Sequence, residues 1–252
     1  MNPSGSAAEA LGATAAGAAL GAAAGSVVGL AWPLAVVAGL NGAISGWRGT
    51  YDWKSGKGLA AFALDSTWAG LTTAAGVVAN GVGLVRRDSG YHAGLSHRQN
   101  RHVYSRGLQL RKGFATTFGN VVAGAGDLTR ARRAKLVTDH EDVHAWQARL
   151  FGPAYPILYG GWLAGGAVAG AAVWATVRRD QRLAKVIESC AYYVNPFEWW
   201  AYSRDGHWPP SGLVGGLGWK QPAVSAFADV GRRSRGSQGI EPAGEVVEIA
   251  GD

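Results

Sequence analysis

The chain has 252 residues and a formal charge of +7, from 24 Lys and Arg against 17 Asp and Glu, with charged residues at only 16%. That is below the roughly 25% of ordinary soluble domains, and the 39 Gly are mixed with Ala, which excludes a collagen period or a Gly/Ser linker. A single cysteine, Cys190, excludes an intrachain disulfide, while the 11 Trp favour surfaces that are apolar at one end and wet at the other. The mean hydropathy of +0.01 is low for a chain with many membrane crossings, so the distribution of the apolar residues decides the reading.

Residues 1–25 form a Gly/Ala-rich leader. Met1–Ala10 has no basic region ahead of its small residues, so a cleaved secretory signal is not expected. Gly17, Gly21, Gly25 and Gly29 recur every four residues and would align on one helix face. The same glycines weaken a helix in water, which leaves an unstructured leader as the other reading. Residues 26–86 read as a hydrophobic helical hairpin in a membrane. Val27–Gly46 is long enough to cross a bilayer. Trp47, Arg48, Tyr51, Trp53, Lys54 and Lys57 then supply the aromatic and basic residues that an interface selects. Gly58–Val85 is again apolar. Asp65 within it would be costly facing lipid and is expected to cap a helix near Ser66 or to sit at the interface.

Residues 87–230 read as one helical domain. Arg86, Arg87, Arg98, Arg101, Arg106, Arg111 and Lys112 crowd its start, and Arg130, Arg132, Arg133 and Lys135 follow. The positive-inside rule places this segment in the cytoplasm, and anionic lipid is the expected partner. Nucleic acid is not, because no groove-reading or base-stacking module accompanies the charge. His92, His97 and His102 lie among these cations and read as surface, not as a second metal site. Residues 154–177 are a third apolar stretch with cations on both sides, hence either a hairpin bent at Gly160 and Gly161 or a buried helix. A helical pattern from Arg182 to Tyr202 is broken at Asn195 and Pro196, and residues 231–252 read as a flexible tail. The expected fold is all-α: a bundle of Gly/Ala-rich, membrane-embedded helices with one helix carrying a metal site.

That helix holds Asp139-His140-Glu141-Asp142-Val143-His144, an H-E-x-x-H pattern. Positions i and i+4 share a helix face, so His140 and His144 can reach one Zn²⁺, and Glu141 projects beside its open position as a general base for water. Val143, Trp146, Gln147 and Leu150 keep helical spacing, and Gly152-Pro153 supplies a stop.

Downstream, Asn195-Pro196-Phe197-Glu198-Trp199-Trp200-Ala201-Tyr202 resembles the second helix of gluzincin-type zincin metallopeptidases, which pair H-E-x-x-H with E-x-x-A-D or a variant. The resemblance covers these two short stretches. It implies His140, His144 and Glu198 as metal ligands and Glu141 as base. Tyr202 stands where the commoner pattern has Asp, so Asp205, Asp139 or Asp142 would have to orient a ligand histidine. Glu188 is the competing third ligand. Tyr202, His207, Tyr192 and Tyr193, in that order, are candidate donors to an oxyanion. The function implied is a zinc-dependent, membrane-associated peptidase acting on a peptide or protein, with its site on the cytoplasmic side. The alternative is a non-enzymatic membrane protein that self-associates through its glycine faces.

Overall fold

Ala-rich sequence after a Ser6 cap, whose hydroxyl accepts from Glu9 N at 3.0 Å, winds Ala7–Val27 into α1. The computed structural model, which describes residues 5–111 and 113–206, thus shows the leader as helix from Ala7 onward. Gly29, at φ +72°, turns the chain into α2 (Ala31–Trp47). The two helices pack backbone to backbone. A Cβ placed on Gly21 would stand 2.4 Å from Leu34 O, and one on Gly42 would stand 2.2 Å from Ala13 O. The glycine face of α1 is therefore filled from within the chain.

Ser55 caps α3 (Gly56–Ser66), and α4 (Gly70–Val85) follows at an angle of 93°. Asp65 caps nothing. It is buried in the last turn of α3, accepts from Tyr51 OH at 2.7 Å, and receives Nε and Nη2 of Arg149 at 2.9 and 2.8 Å. Asn41 and Asn120 extend this polar network by donating to Tyr51 OH, at 2.8 and 3.3 Å.

The basic segment after α4 departs from the all-α expectation. It folds into a three-stranded sheet of β1 (His102–Val103), β2 (Thr116–Phe118) and β3 (Val121–Ala123), in the order β1-β3-β2. β1 runs parallel to β3, while β2 and β3 form a hairpin pairing Phe118 with Val121 around Gly119 and Asn120. Gly119 has φ +54°, the geometry that favours glycine first in a two-residue hairpin turn. His102 is buried here rather than at the surface, with Nε2 2.9 Å from Ser45 Oγ.

The chain then enters α5 (Ala131–Lys135), a π-helical turn (Leu136–His140) and α6 (Glu141–Phe151). Gly152, at φ +52°, ends α6, and α7 (Ala154–Thr176) begins after Pro153. α7 runs unbroken through Gly160 and Gly161 and leaves only Gly170 buried, so it is neither a bent hairpin nor a buried helix. α8 (Leu183–Glu188), a second π-helical turn (Ser189–Tyr193) and α9 (Pro196–Asp205) complete the described chain. The protein is mostly helical. Among the described residues α1 and α7 are long and apolar enough to cross a membrane, and α3 with α4 would count as a third, broken crossing.

The α1–α2 contact makes a testable demand. Gly21→Leu forces a side chain into the Leu34 carbonyl and should cost about 1–3 kcal/mol, read as a lowered thermal midpoint in detergent. Gly12→Leu, where a Cβ meets nothing within 4 Å, should leave the midpoint in place. Equal losses in the two variants would mean that the close helix contact is absent.

Candidate metal centre

His140 closes the π-helical turn and His144 sits one turn further, in α6, so both imidazoles leave the same side of the chain. Glu198 comes from the first turn of α9. Asn195 caps that helix by accepting from Phe197 N at 3.0 Å, and Pro196 occupies its first position, where no N–H is needed. The three side chains are buried, and one ligand atom from each lies within 4.8 Å of the others. His140 Nε2 and His144 Nε2 are 3.2 Å apart. Glu198 Oε2 is 3.4 Å from His140 Nε2, and Oε1 is 3.3 Å from His144 Nε2. A tetrahedral ion with bonds of about 2.0–2.1 Å separates its ligands by about 3.3–3.4 Å. The spacing fits a small cation held by this group.

The surroundings fit as well. Glu198 Oε2 is buried and accepts no hydrogen bond from any described residue, while Oε1 accepts from Tyr159 OH at 2.6 Å. His144 Nδ1 is 2.8 Å from Gln147 Oε1 and 3.3 Å from Tyr155 OH, and Gln147 Nε2 donates to Phe197 O at 2.9 Å. Of the three carboxylates considered for orienting a ligand histidine, Asp205 is the one in place. Its Oδ2 lies 3.5 Å from His140 Nδ1 and 3.0 Å from Arg132 Nη2. Asp142 instead pairs with Arg101, and Asp139 accepts from Thr138. Such outer partners fix the tautomer and ring orientation of a ligating histidine.

Burial works against a charged imidazole at both positions. At His140 the carboxylates of Asp205 and Glu198 outweigh it and lift the ring to about 10. At His144 the charge of Glu198 likewise overcomes burial and raises the ring. Burial pushes the Glu198 carboxyl up, but the two histidines outweigh it and hold the group well below the usual carboxylate range.

Beside this group lies a cavity of about 620 Å³ whose walls include Glu141, His144, Glu198, Thr117, Tyr155 and Tyr159. Glu141 Oε2 accepts from Thr117 Oγ1 at 2.7 Å. No family model, curated protein or solved structure matches this chain. The site is therefore read from its own geometry.

The structure brings His140, His144 and Glu198 into one group, and Glu141 lines the cavity beside it. Glu188 lines the same cavity but is not part of the ligand group, and it pairs with Arg111 Nη1 at 3.0 Å. The ring of Tyr202 packs edge-on against His140, with centroids 4.4 Å apart, and is not part of the cavity wall. Tyr192 is part of that wall and Tyr193 is not. His207 lies outside the described residues. Thr117, Tyr155 and Tyr159 are the site residues that sequence reasoning missed, since none belongs to a motif.

Two outcomes follow. The detergent-purified chain should carry about one metal ion, and His140→Ala or Glu198→Ala should each weaken binding by well over about 100-fold, since even outer-shell changes cost 10–100-fold. Metal binding also has to displace the proton that the carboxylates hold on His140. Affinity should therefore rise with pH between 6 and 9, by up to about tenfold per unit for each proton released. An affinity flat across that range in a chelator competition would contradict this arrangement.

Proposed function

We propose that this chain is a zinc-dependent peptidase held at a membrane, with its site on the cytoplasmic side. One observation carries the reading: a buried group suited to a cation and the proton acceptor Glu141 open onto the same cavity. Two imidazole nitrogens and a carboxylate at tetrahedral spacing favour zinc over harder cations, which prefer oxygen shells. Held by His140, His144 and Glu198, a zinc ion would act as a Lewis acid and lower the pKa of water to about 7.

The chain's own residues account for the remaining steps. Thr117 ties down one oxygen of Glu141, which fixes the carboxylate so that its other oxygen can take a proton from the attacking water. The same carboxyl can then pass that proton to the leaving amine. β2 lies at the edge of its sheet and contributes Thr116, Thr117 and Phe118 to the cavity wall. A peptide laid along it as an added strand would carry its backbone past Glu141. Among the described donors named from sequence, Tyr192 is the one that lines the cavity, and it is the oxyanion donor of this reading.

The basic segment around 86–135 supports the cytoplasmic assignment. The alternative, a protein that self-associates through Gly17, Gly21, Gly25 and Gly29, loses its main support because the first three meet α2 and the turn before it within the same chain, although a Cβ on Gly29 meets nothing within 4 Å.

Replacing Glu141 by Gln keeps the shape of the wall and removes the base. The variant should retain about one zinc per chain while hydrolysis falls by roughly 100-fold or more. Peptide cleavage by the Gln variant at the parent rate would exclude Glu141 as base and sink the mechanism.

A further inference from the structure

The cavity beside Glu141 has a second wall, built by the first turns of α7 with Tyr155, Tyr159, Gly160 and Leu163. The other side of that helix is apolar and largely exposed, with Ile157 72% and Val168 73% exposed and Trp162 also open. At 23 residues, α7 would measure about 34 Å, enough to cross the roughly 30 Å hydrocarbon layer of a bilayer. The cavity wall and a lipid-suited surface are thus two sides of one helix. Leu163 lies about 14 Å along α7 from its first residue, so the cavity reaches below the level at which the helix would enter the membrane.

The cavity is also shaped for apolar matter. Leu110, Phe114 and Phe118 also line it. Away from the metal group its charged lining residues are Arg111 and Glu188, which are paired with each other at 3.0 Å and so offer a ligand little net charge. A Cβ built on Gly160 meets no atom within 4 Å, so this glycine leaves open room on that side of the cavity. β2, at the sheet edge, supplies the direction along which an extended backbone would run.

Resting on the peptidase reading, we infer that the substrate is an extended segment of a membrane-inserted protein. It is cut close to where it leaves the bilayer, and a large apolar side chain beside the cut bond fills the space between Gly160, Leu163 and Phe114. Anchoring in the same bilayer turns capture into an intramolecular event at high effective concentration. The apolar walls select the side chain, and a wrong fit in such a pocket costs about 10- to 100-fold.

The test uses the full chain, loaded with zinc, in vesicles of phosphatidylethanolamine and phosphatidylglycerol. It receives a library of peptides with randomised positions, either free or joined to one apolar transmembrane helix, and the products are sequenced. Anchored peptides should be cut at least about tenfold faster than free ones, with Leu, Phe or Met enriched beside the cut. Gly160→Phe should keep the zinc stoichiometry and lose at least about tenfold in cleavage rate. Gly161→Phe should cut as the parent does, because Gly161 lines the groove on the other side of α7. Equal rates on free and anchored peptides, enrichment of charged residues at the cut, or parental activity in Gly160→Phe would each overturn the inference and leave the peptidase standing. No cleavage of any peptide by the zinc-loaded parent would overturn both.

Discussion

Asp65, almost fully buried at the end of α3, is held by the Arg149 guanidinium of α6 through hydrogen bonds of 2.9 and 2.8 Å. Neither charge has another counter-charge in hydrogen-bond contact among the described residues, and removing one partner from such a pair typically costs about 3–5 kcal/mol. The pair therefore fixes which way α6 faces. Arg149 is five positions past His144 and so stands about 140° around the helix from it. With Arg149 committed to α3, the His140 and His144 rings are turned to the far side, where α9 brings Glu198. The order of the back of α6 is a condition for the chemistry of its front.

The front follows the same rule. Glu198 is as buried as Asp65, and its compensation comes from two imidazoles that burial alone would keep neutral. A carboxylate between two histidines, with Oε2 accepting no hydrogen bond from any described residue, is a buried acceptor left incompletely satisfied. A divalent cation resolves it, since it satisfies the carboxylate and both nitrogens at once. Tyr155 and Tyr159 reach this group from α7, with Tyr159 OH on Glu198 Oε1 and Tyr155 OH near His144 Nδ1. The helix best suited to a bilayer thus helps to hold the ligands in place.

Much of the site was legible because its chemistry is local. H-E-x-x-H fixes two side chains by helix geometry alone, and Asn195-Pro196 marks the start of the helix that carries Glu198. The face of α6 was harder to read. Val143, Trp146 and Leu150 keep an apolar spacing, yet Leu150 is 54% exposed, and the buried positions are Glu141, His144, Gln147 and Arg149 together with Ala145 and Ala148. A periodicity argument assumes that the large inward side chains are apolar, and here the large fully buried ones are polar. The sheet did leave a signal, since Thr116-Thr117-Phe118 and Val121-Val122-Ala123 flank Gly119-Asn120, a two-residue hairpin pattern. That pattern lies inside residues 87–230, which read as one helical domain. Tyr159 left no such trace, because its partner lies 39 positions away and only the tertiary fold joins them.

Small residues show most clearly what composition leaves undecided. α1 and α7 carry similar Gly/Ala sequences and could each pack closely against a neighbour. α1 meets α2, which presents Gly42 and Gly46 to it at matching height, and the two backbones close together. On α7 only the later glycines find such a partner: Gly166 and Gly170 meet the backbone around Cys190 and Ile187, whereas Gly160, Gly161 and Gly165 meet nothing within 4 Å. What separates the two outcomes is the partner, since a glycine permits close approach and does not supply the surface that approaches. The unfilled glycines of α7 lie in its first half, and Gly160 borders the cavity that holds Glu141 and Glu198. The chain is thus closely packed where it needs only to hold together, and open along the helix face that leads to its site.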